Sequence, residues 1–191
     1  SEILGMFYGI HVCCVDALSD GKSISRSSEP FSMISLSIAK ADGAGKIRSI
    51  QEGFDEYCRK ELLIGDDKYD VGDGSKIDAS RQITFWSLPD VLMIDLKRWS
   101  HNGTKLRDNI EIPLDSLDLS KYVIGYGPDR YIYELYAVCN HHGSELGGHY
   151  TAGIKVANRG WCEFNDTRVV PCPSSNLIGP QSYCLFYRKK K

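Results

Sequence analysis

No stretch of this sequence comes near the roughly 20 consecutive apolar residues that a helix needs to cross a bilayer. Its N-terminus has no basic segment leading into an apolar one, so no signal peptide is visible. Charge of either sign is not in excess. The formal net charge is -2, with 23 Lys and Arg against 25 Asp and Glu, so no overall field draws the chain to nucleic acid or to a membrane. The one basic run, Arg188-Lys189-Lys190-Lys191, reads as a solvated tail. There is no internal repeat and no low-complexity block. The seven cysteines (Cys13, Cys14, Cys58, Cys139, Cys162, Cys172 and Cys184) are odd in number and show no pairing framework. That fits a reducing, intracellular compartment, cytoplasmic or nuclear. The chain opens on Ser1 with no Met, which leaves open whether it is a fragment. Its composition is ordinary for a globular protein, and its 191 residues suffice for one domain, 1–191, with a substantial core.

Apolar periodicity gives a coarse map. Residues 6–14 and 30–38 are rich in β-forming types, and between them Ser19-Asp20-Gly21-Lys22 and the serines up to Ser28 read as a loop or a long hairpin tip. The spacing of Ile47, Ile50, Phe54, Tyr57, Cys58 and Leu62 predicts a helix over 46–63, with Gly43-Ala44-Gly45 before it and Gly65 after it. Residues 66–78 are acidic and glycine-bearing, a turn or an exposed lobe. Strands are expected over 83–88 and 91–99, split by Pro89-Asp90. The continuous run Val91-Leu92-Met93-Ile94 suggests a central strand covered on both faces. Asn102-Gly103 marks a tight turn. Further strands are expected over 110–113, 131–139 and 181–188, and a hairpin joins 149–156 to 160–165. One helix among many strands predicts an α+β domain built on an antiparallel sheet.

The segment Gly147-Gly148-His149-Tyr150-Thr151-Ala152 carries the chemistry. Two residues without a Cβ let another chain approach the backbone just before a histidine. A lone histidine at a strand end is more often structural than catalytic, but three neighbours bear on this one. Asn165-Asp166 lies at the end of the partner strand, and a histidine that moves protons for a thiol needs its second ring nitrogen held by an oxygen acceptor. Asn140-His141-His142-Gly143-Ser144-Glu145-Leu146 reads as a polar loop able to cover a cleft. Trp161 and Phe164 would bury the base of the hairpin, which is equally what ordinary core residues do.

Taken in order along the chain, these segments resemble one family. Tyr133-Glu134-Leu135-Tyr136-Ala137-Val138-Cys139-Asn140-His141, then Gly143, then Gly147-Gly148-His149-Tyr150-Thr151-Ala152, is similar to the histidine box of ubiquitin-specific proteases. Trp161-Cys162-Glu163-Phe164-Asn165-Asp166 with Val169 resembles the motif that follows, and Tyr183-Cys184-Leu185-Phe186-Tyr187 the closing strand. Upstream, Glu29-Pro30-Phe31, Leu88-Pro89-Asp90-Val91-Leu92, Leu96-Lys97-Arg98-Trp99, Ile112-Pro113, Leu117-Asp118-Leu119 and Tyr122 fit the same order. The resemblance implies a papain-like cysteine protease fold, here its palm-and-fingers part. It implies His149 as general base, Asn165 as its orienting partner and Asp166 as an auxiliary polar group. Residues 141–146 would be a mobile loop over the cleft for ubiquitin's C-terminal tail, with Gly147, Gly148, Tyr150 and His141 at the substrate. The implied partners are ubiquitin, ubiquitinated proteins and an N-terminal thumb segment that carries the nucleophile; no cofactor is implied.

Two departures from the family pattern stand out. The family's Asn-x-Gly-x-Thr-Cys box is nowhere in the chain. Among the cysteines present, Cys13-Cys14 is the only suggestive group. It lacks an electropositive setting that would lower a thiol pKa, and Cys139, Cys162 and Cys184 fall in predicted strands as small hydrophobes. Cys58 lies on the helix stripe and Cys172 between two prolines. Many family members also bind zinc through two Cys-x-x-Cys pairs at a finger tip. Here Tyr69-Asp70-Val71-Gly72-Asp73 stands at the second pair's place, so no structural metal is expected. The acidic residues of that lobe do not match an EF-hand loop either. The expected function is deubiquitination, with this chain alone inactive. The alternatives are a non-catalytic ubiquitin-binding or scaffold module, and a papain-like hydrolase for a ubiquitin-like modifier.

Overall fold

Alternation of apolar and polar residues drives most of the chain into strands, and one short amphipathic helix packs against them. The computed structural model describes residues 2–40, 43, 45–127, 130–144 and 146–190, so Ser1, Ala44, Glu145 and Lys191, named above, lie outside the described residues. The elements in order are α1 (Glu2–Phe7), β1 (Gly9–Ala17), β2 (Ser23–Phe31), β3 (Met33–Ser37), α2 (Ile50–Tyr57), β4 (Glu61–Leu63), β5 (Tyr69–Asp70), β6 (Lys76–Ile77), β7 (Ala79–Ser87), β8 (Val91–Lys97), β9 (Leu117–Asp118), β10 (Ile132–Ser144), β11 (Gly147–Val156), β12 (Gly160–Asn165), β13 (Arg168–Pro171), α3 (Ser174–Leu177) and β14 (Ser182–Lys189).

Two sheets dominate. The larger runs β13-β12-β11-β10-β14-β8-β3, with β9 beside β10, and every pairing in it is antiparallel except β3 with β8. The smaller runs β2-β1-β7-β4 and is wholly antiparallel. A core shared by both sheets and α2 joins them. Phe54 of α2 is fully buried, its ring 6.2 Å from Phe85 of β7 and 5.6 Å from Tyr122, while Ile34, Leu36, Leu92 and Ile94 supply the face of the larger sheet. Gly53 lets the helix sit close to β3, since a Cβ there would lie 3.1 Å from Leu36. Phe54→Ala would empty the middle of this core. It should lower unfolding free energy by about 3–5 kcal/mol in urea denaturation, the usual range for losing a buried aromatic ring.

Several expectations need correction. The serine-rich stretch is strand, not loop. β2 pairs with β1 over almost its full length, and its serines are tolerated because they lie on an edge strand whose buried residue, Phe31, stands at its far end. Residues 6 and 7 are helical rather than extended. The helix predicted over 46–63 is only Ile50–Tyr57. Ser49 caps it by accepting from the Glu52 backbone N–H at 3.1 Å, and Leu62 and Leu63 leave the helix to pair with Ser80 and Ala79 of β7. Val91-Leu92-Met93-Ile94 does form an inner strand, but only the Leu92, Ile94 and Leu96 face is buried; Val91 and Met93 are half-exposed. Residues 110–113 make a single bridge, Glu111 to Ser49, instead of a strand. Residues 140–144, expected in a loop, continue β10 without interruption.

The lobe at 66–78 is a short 3-10 turn at Gly65–Asp67 followed by the β5–β6 hairpin. Its carboxylates are used locally. Asp70 accepts from the Gly72 N–H and Asp73 from the Ser75 N–H, each at 2.8 Å, and Asp73 also takes the Ser75 hydroxyl at 2.6 Å. Two Asp-closed turns thus shape this hairpin. Among the described residues no group of three or more His, Cys, Asp or Glu is placed to hold a metal ion. The donor set does not fit zinc.

Candidate active site

β11 and β12 bring His149 and Asn165 together. Their register pairs Ala152 with Phe164, which, extended by one residue, sets Asn165 opposite Thr151. Asn165 then shares a face with His149, two residues before Thr151, within reach of a diagonal side-chain contact. The contact forms: His149 Nε2 lies 2.8 Å from Asn165 Oδ1. An amide oxygen only accepts, so Nε2 carries the ring proton and donates it. Nδ1 is left as the basic nitrogen, with no hydrogen bond among the described residues. The imidazole is exposed and Asn165 is half-buried. A histidine oriented by an amide through Nε2, with Nδ1 turned to the outside, is placed to exchange a proton there with a donor brought to it.

Asp166 is not drawn into this pair. It occupies the first position of the two-residue connection to β13, with φ 51°, and its side chain makes no hydrogen bond among the described residues. Tolerance of the left-handed region, which Asp has more than most residues, is the visible reason for it there.

The glycines shape the approach. Gly143 pairs with Gly148 and Ser144 with Gly147 at the end of the β10–β11 ladder. A Cβ on Gly148 would collide with His141 Nε2 and come within 2.6 Å of the His142 carbonyl, whereas one on Gly147 would meet nothing within 4 Å. Gly148 therefore permits close packing inside the chain, and Gly147 leaves open space beside it. Leu146 at the hairpin tip is fully exposed.

His141 is not on a loop over the opening. It lies in β10 opposite Tyr150, on the sheet face away from His149, and is 5% exposed. Tyr150 covers it, with ring centroids 4.6 Å apart, and Trp99 and Tyr183 flank it at 5.9 Å each. Alternation along β10 places it: with Asn140 and His142 on one face, His141 must turn to the other. Lys105, which the sequence reading assigned to nothing, bonds this ring. The Asn102-Gly103 turn signals that Lys105 folds back to bridge Trp99, but not that it reaches His141.

None of the seven thiols is hydrogen-bonded to His149. Burial pushes the Cys58 thiol up to about 12 and that of Cys184 up to about 11, and it raises Cys139 as well. Such thiols are protonated at neutral pH and poor nucleophiles. Cys162 is buried in β12. Cys13 and Cys14 lie in β1 of the smaller sheet, and Cys172 follows β13.

Comparison with known proteins gives one family throughout. The family model described as ubiquitin carboxyl-terminal hydrolase matches residues 11–187. Ubiquitin carboxyl-terminal hydrolase 19 of Homo sapiens is 39% identical over 126 residues, which is 59% of this chain and 10% of that protein. Ubiquitin carboxyl-terminal hydrolase 12 of Saccharomyces cerevisiae is 41% identical over 117 residues, 59% of this chain and 9% of that protein. Among solved structures, a chain of the SAGA DUB module of Ubp8, Sgf11, Sus1 and Sgf73, bound to monoubiquitin, aligns with a TM-score of 0.81 and 30% identity, covering 98% of this chain and 41% of that one. A chain of the yeast SAGA DUB module carrying an Sgf73 mutant aligns at 0.80, again with 30% identity, covering 98% and 42%. The chain thus spans about a tenth of those curated relatives and two fifths of those solved chains. The sheet-rich architecture is the α+β fold of the papain-like kind.

Proposed function

The chain belongs to the ubiquitin carboxyl-terminal hydrolase family, and from that premise we propose that residues 1–191 are the palm and fingers of a deubiquitinating catalytic domain, contributing the base side of a thiol protease site. The observation that carries this reading is the 2.8 Å His149–Asn165 pair at a glycine-lined sheet end. The nucleophile is a cysteine on a thumb segment outside these residues, a reading supported by the lack of a hydrogen bond between His149 and any of the seven thiols. Its thiol gives its proton to His149 Nδ1, and the thiolate attacks the carbonyl carbon of ubiquitin's C-terminal glycine. The imidazolium returns that proton to the departing amine as the C–N bond breaks, leaving a thioester. His149 then takes a proton from water, and the hydroxide so formed attacks the thioester and frees the cysteine. Asn165 keeps the ring in the productive tautomer and orientation. Gly147 and Gly148 at this strand end, with Tyr150 on the sheet's other face and His141 behind it, bound the slot along which a narrow Gly-Gly tail lies; bulkier tails are excluded by contact.

Asn165→Ala tests the orienting role. In the intact protein it should lower kcat on a ubiquitin–fluorophore conjugate by about tenfold to a hundredfold, the scale of a misplaced catalytic group. Asn165→Asp should retain most of the activity, since an oxygen acceptor remains. Unchanged kcat in Asn165→Ala would remove Asn165 from the mechanism. The absence of any thiol bonded to His149 within the chain favours a second reading, a ubiquitin-binding or scaffold module. Under it the intact protein binds ubiquitin without cleaving conjugates.

A further inference from the structure

Lys105 lies on neither strand of the His149 hairpin, yet it fixes the ring packed against that hairpin. Its Nζ is 2.9 Å from His141 Nδ1 and donates to the His141 carbonyl at 2.5 Å. An ammonium has protons only to give, so Nδ1 must present a lone pair and the proton of the neutral ring resides on Nε2. Burial first, then the nearby positive charges of Lys105 and Arg107, holds the His141 pKa below its ordinary value, which favours the neutral ring. Its Nε2 side faces Gly148, where a Cβ would strike it, and its face carries Tyr150. His141 therefore sets the positions of the residues on either side of His149.

Lys105 is itself held from behind. The Arg98 guanidinium is fully buried and donates to three carbonyls: Ser182 at 2.5 Å, Leu106 at 3.2 Å and Asp108 at 2.9 Å. This clamps the segment that follows Lys105 against the start of β14. Trp99 adds its ring, with Lys105 Nζ 5.6 Å from the centroid.

We propose that Lys105 is a positioning residue that acts through His141: by locking that ring as the Nε2–H tautomer, it keeps Tyr150 and Gly148 in the geometry the substrate tail needs. This rests on the proposed reaction at His149, and Lys105 touches no reacting atom. Without the ammonium, His141 loses the donor to its buried Nδ1 and one donor to its carbonyl. The ring is then free to exchange tautomers or turn, and Gly148 and Tyr150, on either side of His149 in the strand, lose that support.

The test is a double-mutant cycle in the intact protein, with Lys105→Met and His141→Phe made singly and together. Phe keeps the stacked ring but has no nitrogen to bond. On a ubiquitin–fluorophore conjugate each single variant should lose about tenfold in kcat/KM, mostly through KM, as when a supporting partner of a binding group is removed. The double variant should be no worse than either single one, and Lys105→Arg should recover most of the loss. If the two losses multiply, Lys105 acts on its own and the proposal is overturned. The second readout is the 15N NMR spectrum of the histidine rings. It should show His141 as the Nε2–H tautomer in the native protein and as a mixture in Lys105→Met. An unchanged tautomer overturns the proposal. The spectrum requires no turnover, so failure of the deubiquitinase reading and failure of this proposal remain distinguishable.

Discussion

His149→Ala in the intact protein should abolish cleavage of a ubiquitin–fluorophore conjugate, with kcat down by at least about a thousandfold. General acid–base catalysis by one group is worth roughly 10²–10⁴. Here the same ring must also generate the thiolate, so the loss belongs at the upper end. His149 is exposed and its one hydrogen bond is to Asn165, so its removal leaves no buried group unpaired. The fold should survive, with the thermal midpoint within about 2 °C of native, as surface substitutions usually change stability by half a kcal/mol or less. Ubiquitin binding should persist for the same reason. A variant that folds, binds and does not turn over assigns His149 to the chemistry; near-native turnover removes it.

Gly148→Ala should be nearly as damaging by a different route. Its backbone is not in the left-handed region, so the added methyl brings no torsional strain. The difficulty is contact, because the Cβ would overlap His141 Nε2 and crowd the His142 carbonyl. Either the β10–β11 ladder opens at its Gly143–Gly148 pair or His141 moves and takes Tyr150 with it. Overpacking of this kind costs about 1–3 kcal/mol in stability. A displacement on the order of 1 Å in the wall beside a catalytic group costs about a hundredfold in rate, so kcat/KM should fall by about that factor while Phe54→Ala remains the larger loss in stability. Gly147→Ala is the companion. A Cβ there meets nothing in the chain, so any loss of activity it causes reports on the substrate and not on the fold. Native kcat/KM in both variants would rule out a tail running along this sheet end.

How far the sequence carries the fold depends on the element. The His149 hairpin was readable because its strands alternate clearly and its turn residues, Asn158 at φ 63° and Gly160 at φ 72°, are of the types that adopt that backbone. The closing strand was readable for the first reason. β2 was not, because a strand whose serines face solvent on both sides carries no apolar alternation. α2 was overextended because Leu62 falls at helical spacing from Cys58, and only the tertiary pairing of Leu62 and Leu63 with β7 removes them. Residues 140–144 read as loop from their polarity. In fact Asn140 and His141 are buried polar residues, bonded to the Leu177 carbonyl and to Lys105, which sequence alone does not reveal. The His149–Asn165 proximity needed only the hairpin, whereas Lys105 meets His141 across 36 residues, and nothing local announces that contact.

The account stands most directly on where the nucleophile is. A cysteine-reactive ubiquitin probe should be applied to the intact protein, and the adduct mapped by peptide mass spectrometry. One ubiquitin should attach, at a cysteine outside residues 1–191, with labelling abolished in His149→Ala. Attachment at any of Cys13, Cys14, Cys58, Cys139, Cys162, Cys172 or Cys184, or no adduct at all, would contradict it.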